Sequence, residues 1–533
     1  MNKAVSKPLV MLSVLAVLGT LGVVIALKQH AGTFAETWEN GRRIITVGPK
    51  DDLQAAINAA QLGDTIVVQA GVIFTGGFVL PAKSGSGEIV IQSSRLKELP
   101  EGVRVNPSQS ALFAKLQSDT NAEPVVRTEA GAHHYRFHGI EFSTTTAKVR
   151  IYDLVRFGEG RHKQKTLDVV PHHFVIDRCY VHGFDTQDVQ RGVTLNSGES
   201  TVTNSYISDI HSEGTEAQAI SVWNGPGPFH IINNYLEAAG ENIMIGGADP
   251  GVPNLVPSDI EVRRNHMFKP LSWKVGDPSY AGKHWTVKNI FELKNAKNVV
   301  IDGNVFENCW RDAQDGTPIL FTVRNQECTA PWSTVENITF TNNVVRNAEG
   351  GLNLLGADNE VTAAFGKCRP ASASGRGTNA QVSNNLFYNI KGPFLLLNGF
   401  YNVTVAHNTH IQSGNIMTLY GTPAQQFVYR DNLTIRGPKG YGVFGDATGE
   451  GVVALRKFAP DVVFKNNVLA MGDSSLYPKE NEFPASLEKV GFVNFEKGDY
   501  RLAPSSPYKK RPSEGQAVGC DWEKLNFSAK TPE

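Results

Sequence analysis

Apolar and polar residues alternate in short runs along most of the chain, with Val, Ile, Phe and Thr prominent in them. That period of two predicts strands; helices would need runs of about ten or more residues at 3.6 spacing. One phrase recurs. Residues 299–309 read VVIDGNVFENC, and variants follow as HIINNYLEA at 230, ITFTNNVVRN at 338, QVSNNLFYN at 381, VTVAHNTHI at 403 and VVFKNNVLA at 462. Aligned on Asn304, the equivalent positions are Gly139, Cys179, Ser205, Asn234, Asn265, Asn343, Asn385, Asn408, Asn432 and Asn467. The shortest steps between them are 23 and 24 residues, and the others are longer by irregular amounts. A unit of that size with variable insertions predicts a parallel β-solenoid, its coils stacked about 4.8 Å apart. Asn suits the corner because it tolerates a left-handed backbone and can hydrogen-bond to its equivalent on the next coil.

A solenoid must cover its ends. DDLQAAINAAQLGD (51–64) predicts an amphipathic capping helix with Leu53, Ala56, Ile57 and Ala60 on one face, leading into a first coil at DTIVVQAGVIF. FVNFEKGDYRLAPSSPYKK and VGCDWEKLNF break the repeat and are expected to close the other end. Residues 92–124 read as an insertion. The expected organisation is one all-β domain over 45–525, preceded by a targeting segment in 1–35.

That segment has Lys3 and Lys7 before the apolar run 9–27. The pattern fits a cleaved signal peptide ending near Thr33-Phe34-Ala35, and equally a retained membrane anchor. Either implies export: periplasmic, extracellular or membrane-anchored. The formal net charge of −1 over 533 residues offers no field for nucleic acid or for a membrane surface beyond that segment. Gly, at 51 residues, suits a fold of many tight turns. The five cysteines match no zinc spacing. Cys179 and Cys309 fall inside repeat phrases and read as buried small hydrophobes. Cys328 and Cys368 lie in loop-like stretches of successive repeats, where an exported chain can form a disulfide.

The corner phrases, GDTIVVQAG and DYRLAPSSP together resemble the right-handed parallel β-helix proteins of the pectin-lyase-like superfamily. The resemblance covers roughly residues 45–525. It implies a single-stranded right-handed β-helix and, at the level of class, a polysaccharide partner. The paired Asp residues of polygalacturonase-like hydrolases have no counterpart in YVHGFD or FHGIEF, and VVIDGN is not the Trp-Ile-Asp-His phrase of pectate lyases. FELKNAKNVVIDGN, from Phe291, resembles the catalytic coil of the chondroitinase B and alginate lyase branch. The resemblance gives Glu292 the place of a calcium-binding acid and Lys294 that of the catalytic lysine; Asn295 replaces a Ser. Arg324, in PILFTVRNQ, matches the assisting arginine of the next coil. For that family's remaining calcium ligand, Asp249 is the nearest residue.

Alternation puts Glu292 and Lys294 on one outer face, and Thr322 and Arg324 on the outer face of the following coil. A uronate lyase must neutralise the sugar carboxylate, remove the proton alpha to it and help the leaving oxygen depart. Calcium or an arginine serves the first, a lysine the second, an arginine the third. Glu292 and Lys294 also read as a plain surface ion pair. Trp223, Asn224, Asn398 and Tyr420 fall on equivalent segments and are the candidate sugar contacts; Asn224, Lys294 and Asn398 all lie ten residues before their corner Asn. His266, His407 and His410 read as corner or ladder residues, and 274–285 as a loop beside the Lys294 coil. The expected function is a monomeric, exported β-eliminating lyase acting on an acidic polysaccharide. The alternative is a non-catalytic glycan-binding β-helix.

Overall fold

Gly303 and Asn304 turn the chain between two strands, and the same two-residue corner recurs along the molecule. In the computed structural model, which describes residues 34–356, 377–436, 440–509 and 517–525, each coil adds one strand to each of three sheets. The sheets hold fifteen, thirteen and twelve strands among the described residues. One coil runs Ala296–Asp302, Val305–Cys309 and Ile319–Thr322 before returning to the first sheet at Val335–Thr341. Strands of successive coils pair in parallel, as in Val299 with Ile338 and Phe306 with Val345. The exception in the large sheets is the opening pair, Ala35–Glu39 against Arg42–Val47, which is antiparallel. The protein is a right-handed parallel β-helix.

The corner divides its work between two residues. The first takes the left-handed conformation: Asn233, Arg264, Gly303, Asn342, Asn384, His407, Asp431 and Asn466 all have φ between 53° and 66°. The second is the buried ladder residue. The Asn304 amide donates to the Val262 carbonyl (2.8 Å) and to Asn343 Oδ1 (3.0 Å), and the Asn304 backbone N–H donates to the same Oδ1 (2.9 Å). The ladder runs from Asn234 through Asn265, Asn304, Asn343, Asn385, Asn408, Asn432 and Asn467. It extends one step beyond the sequence alignment, to Asn481. Each buried amide therefore finds partners along the axis. At the other end, Gly139 (φ 65°) occupies the left-handed position, and Ile140 stands where Cys179 does.

Inward residues such as Phe291, Leu293, Val299, Ile301, Phe306 and Phe321 build one continuous core. The helix Leu53–Ala59 buries Leu53, Ala56 and Ile57 at its start, with Asp52 accepting from the Ala55 amide (3.0 Å). The far end differs from expectation. Helix Val452–Phe458 closes it with Ala454, Leu455 and Phe458. Phe492–Asn494 and Asp499–Leu502 form an antiparallel pair. The tail lies along the thirteen-stranded sheet, packing Cys520 and Leu525 on Val305, Val344 and Leu386. Within 92–124, Ala114–Ser118 is a strand of that sheet. Cys179, Cys309 and Cys520 are free and buried. Cys328 is disulfide-bonded, and Cys368 lies outside the described residues. Among the described residues no helix is long and apolar enough to cross a membrane; the run 9–27 lies outside them.

Candidate functional site

The candidate residues lie along the outer face of the twelve-stranded sheet. Val222, Ile245, Leu293, Phe321, Leu354, Leu397 and Leu419 form one inward row in continuous register. The residues that follow them form the next column: Trp223, Gly246, Lys294, Thr322, Leu355, Asn398 and Tyr420. Strand spacing sets Trp223 about 10 Å from Lys294 on one side and Asn398 about 14 Å from it on the other. Thr322, rather than Arg324, stands over Lys294, because the strand ends there and the chain leaves as the loop 323–334. Arg324 starts that loop, partly buried, and its amide donates to the Lys294 carbonyl (2.9 Å).

Asn224 falls one residue out of this column. It is fully buried, and its amide donates to the carbonyls of Glu159 (3.0 Å) and Gln164 (2.9 Å) while its oxygen accepts from Gly251 N–H (2.8 Å). It fastens two loops and faces no groove. Asn398 Oδ1 accepts from the Thr422 amide (2.8 Å). Asp249 accepts from the Thr329 amide (2.7 Å) and hydroxyl (2.8 Å), which anchors the 323–334 loop. His266 is buried against Glu307 (3.0 Å), and His410 is buried on the Phe394 ring (3.9 Å between centroids). The 274–285 loop is held by Trp285, which packs in a cluster with Trp273 and Trp310.

Lys294 is 9% exposed, and its Nζ lies 3.6 Å from Glu292 Oε1. Glu292 also accepts from the Asn289 amide (3.1 Å) and the Thr322 hydroxyl (3.2 Å). Beside this pair is a second group of charges that sequence reasoning missed. Glu241 is fully buried, accepts from the Gln218 amide (2.9 Å) and sits 3.0 Å from Lys288 Nζ. Lys288 also pairs with Glu216. Burial alone would lower the Lys288 pKa, but Glu241 and then Glu216 outweigh it and raise it. Burial raises the Glu241 carboxyl despite Lys288, whereas at Glu216 the pull of Lys288 wins and the pKa is lowered. Strand pairing, which the sequence alone does not give, lines up Asp153, Arg191, Gln218 and Glu241 as one polar column across four coils.

A cleft of about 300 Å³ opens here, lined by Arg161, Arg191, Glu216, Gln218, Trp223, Met244 and Gly246, among others. Arg191 lies over the Trp223 ring at 5.0 Å and 3.6 Å from Asp153. Arg161 pairs with Glu327 at 3.5 Å. Gly246 (φ 93°) leaves the cleft floor bare beside Lys294; a Cβ there would stand 2.6 Å from the Asn295 amide nitrogen. A larger groove, about 1350 Å³, runs between the C-terminal tail and the opposite side of the β-helix. Its lining mixes buried residues such as Thr409, Leu433 and Val518 with exposed strand and tail residues, and it lacks the paired buried Lys and Glu residues found beside the smaller cleft.

Calcium takes six to eight oxygen ligands at about 2.3–2.6 Å. Glu216, Glu241 and Glu292 offer the right atoms, but Lys288 is seated between the first two and Lys294 lies against the third. With both ammonium groups in place the donor set does not fit a calcium ion.

The chain matches no protein-family model and no curated protein. Among solved structures it is similar to an alginate lyase from Paenibacillus sp. str. FPU-7, at 14% identity over 76% of this chain and 98% of that one, with a TM-score of 0.32. A mannuronic acid-specific polysaccharide family 6 lyase from human gut microbiota aligns at 12% identity over 83% and 90% of the two chains, TM-score 0.42. The tailspike protein of E. coli bacteriophage HK620, solved with a pentasaccharide, aligns at 14% identity over 84% and 65%, TM-score 0.39.

Proposed function

We propose that the protein is an exported, polysaccharide-acting enzyme that cleaves a uronate-containing glycan by β-elimination, with Lys294 as the base. Export rests on the basic and apolar pattern of the first 27 residues. The observation that carries the catalytic reading is the position of Lys294: it packs against Gly246, which lines the cleft that holds Arg191, Arg161 and Trp223 together.

In this reading the Trp223–Arg191 pair receives a sugar, and Arg191 faces its carboxylate, which favours negative charge at the adjacent carbon. Lys294 takes the proton alpha to the carboxylate. The electron pair left behind forms a carbon–carbon double bond, and the bond to the neighbouring glycosidic oxygen breaks. Arg324, one coil on, stabilises the charge on the departing oxygen, which takes its proton from water. Asn398 and Tyr420, further along the column, are the contacts for more distant sugars. Lys288 supplies positive charge to Glu216 and Glu241, so no metal enters the scheme.

The test is absorbance at about 235 nm, where the unsaturated product absorbs, with alginate, pectate and glycosaminoglycans as substrates. A signal that is lost in Lys294→Ala supports the proposal. A flat trace on glycans that the protein nevertheless binds assigns it to the non-catalytic, glycan-binding alternative.

A further inference from the structure

Two His-His pairs open successive strands of the fifteen-stranded sheet, away from the cleft: HHYRFH at His133–His138 and HHFVID at His172–Asp177. His133 pairs in register with His172, and His172 with Gly198. The next position along gives a column of His134, His173 and Glu199, preceded one coil earlier by Glu88. All three of His134, His173 and Glu199 have positive φ (60°, 61° and 40°), which turns their side chains together at the strand start.

The rings are crowded. His134 and His173 stack at 4.1 Å and His133 and His172 at 5.1 Å. Nδ1 of His133 faces Nδ1 of His134 at 2.7 Å, and Nδ1 of His172 faces that of His173 at 2.5 Å. Glu199 reaches His173 Nε2. Ligating nitrogens of His134, His172 and His173 all lie within 4.8 Å of one another.

Each pair of facing nitrogens has room for one shared proton, so both rings of a pair cannot be cationic at once, and stacked cations would repel. Glu88 is paired with Arg136 and Glu199 with His173, leaving the three imidazoles as the core of the donor set. Three imidazole nitrogens, one of them on a ring oriented by a carboxylate, suit zinc or its neighbours, not calcium or magnesium, which prefer oxygen.

We propose that His134, His172 and His173 form a binding site for one divalent transition-metal ion that clamps two successive coils in the N-terminal part of the β-helix, with Glu199 of the next coil orienting His173. The site is independent of the lyase reading, being built on another sheet.

The experiment is calorimetric titration of the untagged full chain with Zn²⁺, with Co²⁺ absorption as a second readout. Variants His134→Asn and His173→Asn are chosen because Asn tolerates positive φ and preserves the backbone. The expected result is one equivalent of Zn²⁺ bound, visible d–d bands of low-coordinate Co²⁺, and a higher melting temperature with metal. The double variant should bind at least about tenfold more weakly while keeping its melting temperature without metal. Affinity should fall as the pH drops through the imidazole range, since protons compete for the ligands. No stoichiometric Zn²⁺ binding, or binding unchanged in the double variant, overturns the proposal.

Discussion

The Arg324 amide donates to the Lys294 carbonyl across 2.9 Å, so these two residues share one seam between adjacent coils although thirty residues of chain separate them. The Lys294 side chain lies outside the apolar core. Lys294→Ala leaves the buried Glu292 without its counter-charge but with its hydrogen bonds from Asn289 and Thr322, so the variant is expected to fold with a lowered melting temperature while kcat falls by about 10² to 10⁴-fold. Lys294→Arg should be nearly as impaired, because a guanidinium stays protonated. Steady-state kinetics beside thermal melts check both; an active arginine variant sinks the base assignment.

Arg191 over Trp223 forms the other half of the cleft. Trp223→Ala removes the apolar face and Arg191→Ala the positive charge. Both are expected to raise KM by about tenfold or more, and Arg191→Ala to lower kcat as well, since in the proposed mechanism it faces charge that grows in the transition state. An unchanged KM in both variants places the substrate elsewhere.

The Asn ladder predicts a stability effect with no bearing on chemistry. Asn304→Ala strips a partner from the Val262 carbonyl and from the Asn265 amide, all of it buried. Each orphaned group costs about 1–3 kcal/mol, so denaturant unfolding should show a loss in that range or above it. Asn298→Gly, which keeps the left-handed backbone (φ 55°) of the exposed row where Asn298 donates to Asp259 and accepts from Asn337, should cost far less.

The ladder was legible because every coil has to solve the same corner, and a buried amide is a narrow solution. Its register slipped at Gly139, where glycine answers the demand for positive φ and so resembles the wrong half of the corner. Spacing from the corner placed Lys294 and Asn398 in one column. It failed for Asn224, because the chain between Val222 and Asn234 takes one residue more than the chain between Leu293 and Asn304. Lys288 and Glu241 stayed hidden for a different reason. Their pairing is made across coils, between a strand and the segment leading into another, and no local pattern marks it.

Lys288 makes a prediction about metal. Its ammonium occupies the seat between Glu216 and Glu241 that a divalent ion would need. Activity is expected to survive exhaustive chelation and to gain nothing from added calcium. Lys288→Met leaves Glu241 buried without its counter-charge and should destabilise the protein by about 3–5 kcal/mol. Activity abolished by a chelator and restored by calcium overturns this reading of the site.

His410 predicts how the protein responds to acid. It is fully buried, stacked on Phe394, with Nε2 2.6 Å from the Tyr429 hydroxyl and Nδ1 2.9 Å from Gln412 Oε1. Burial lowers its pKa to about 3, with Gln412 pulling weakly the other way. In the unfolded chain the ring protonates near its ordinary value of about 6.5. Between those values the unfolded state binds the extra proton, so this histidine makes stability fall as pH falls, by at most about 1.4 kcal/mol per unit; above the upper value its effect is flat. Glu237 works in the opposite sense. Burial, then Asp209, raises its carboxyl to about 8, so the folded state holds a proton that the unfolded state has lost, and stability rises as pH falls toward the ordinary carboxyl range. The two slopes partly cancel in the wild type. The difference between wild type and His410→Gln isolates the histidine: below pH of about 6.5 the variant should lose stability less steeply, and above it the two curves should run parallel. Denaturant melts at half-unit pH steps give both curves, and equal slopes on the acid side would remove His410 as a source of acid sensitivity.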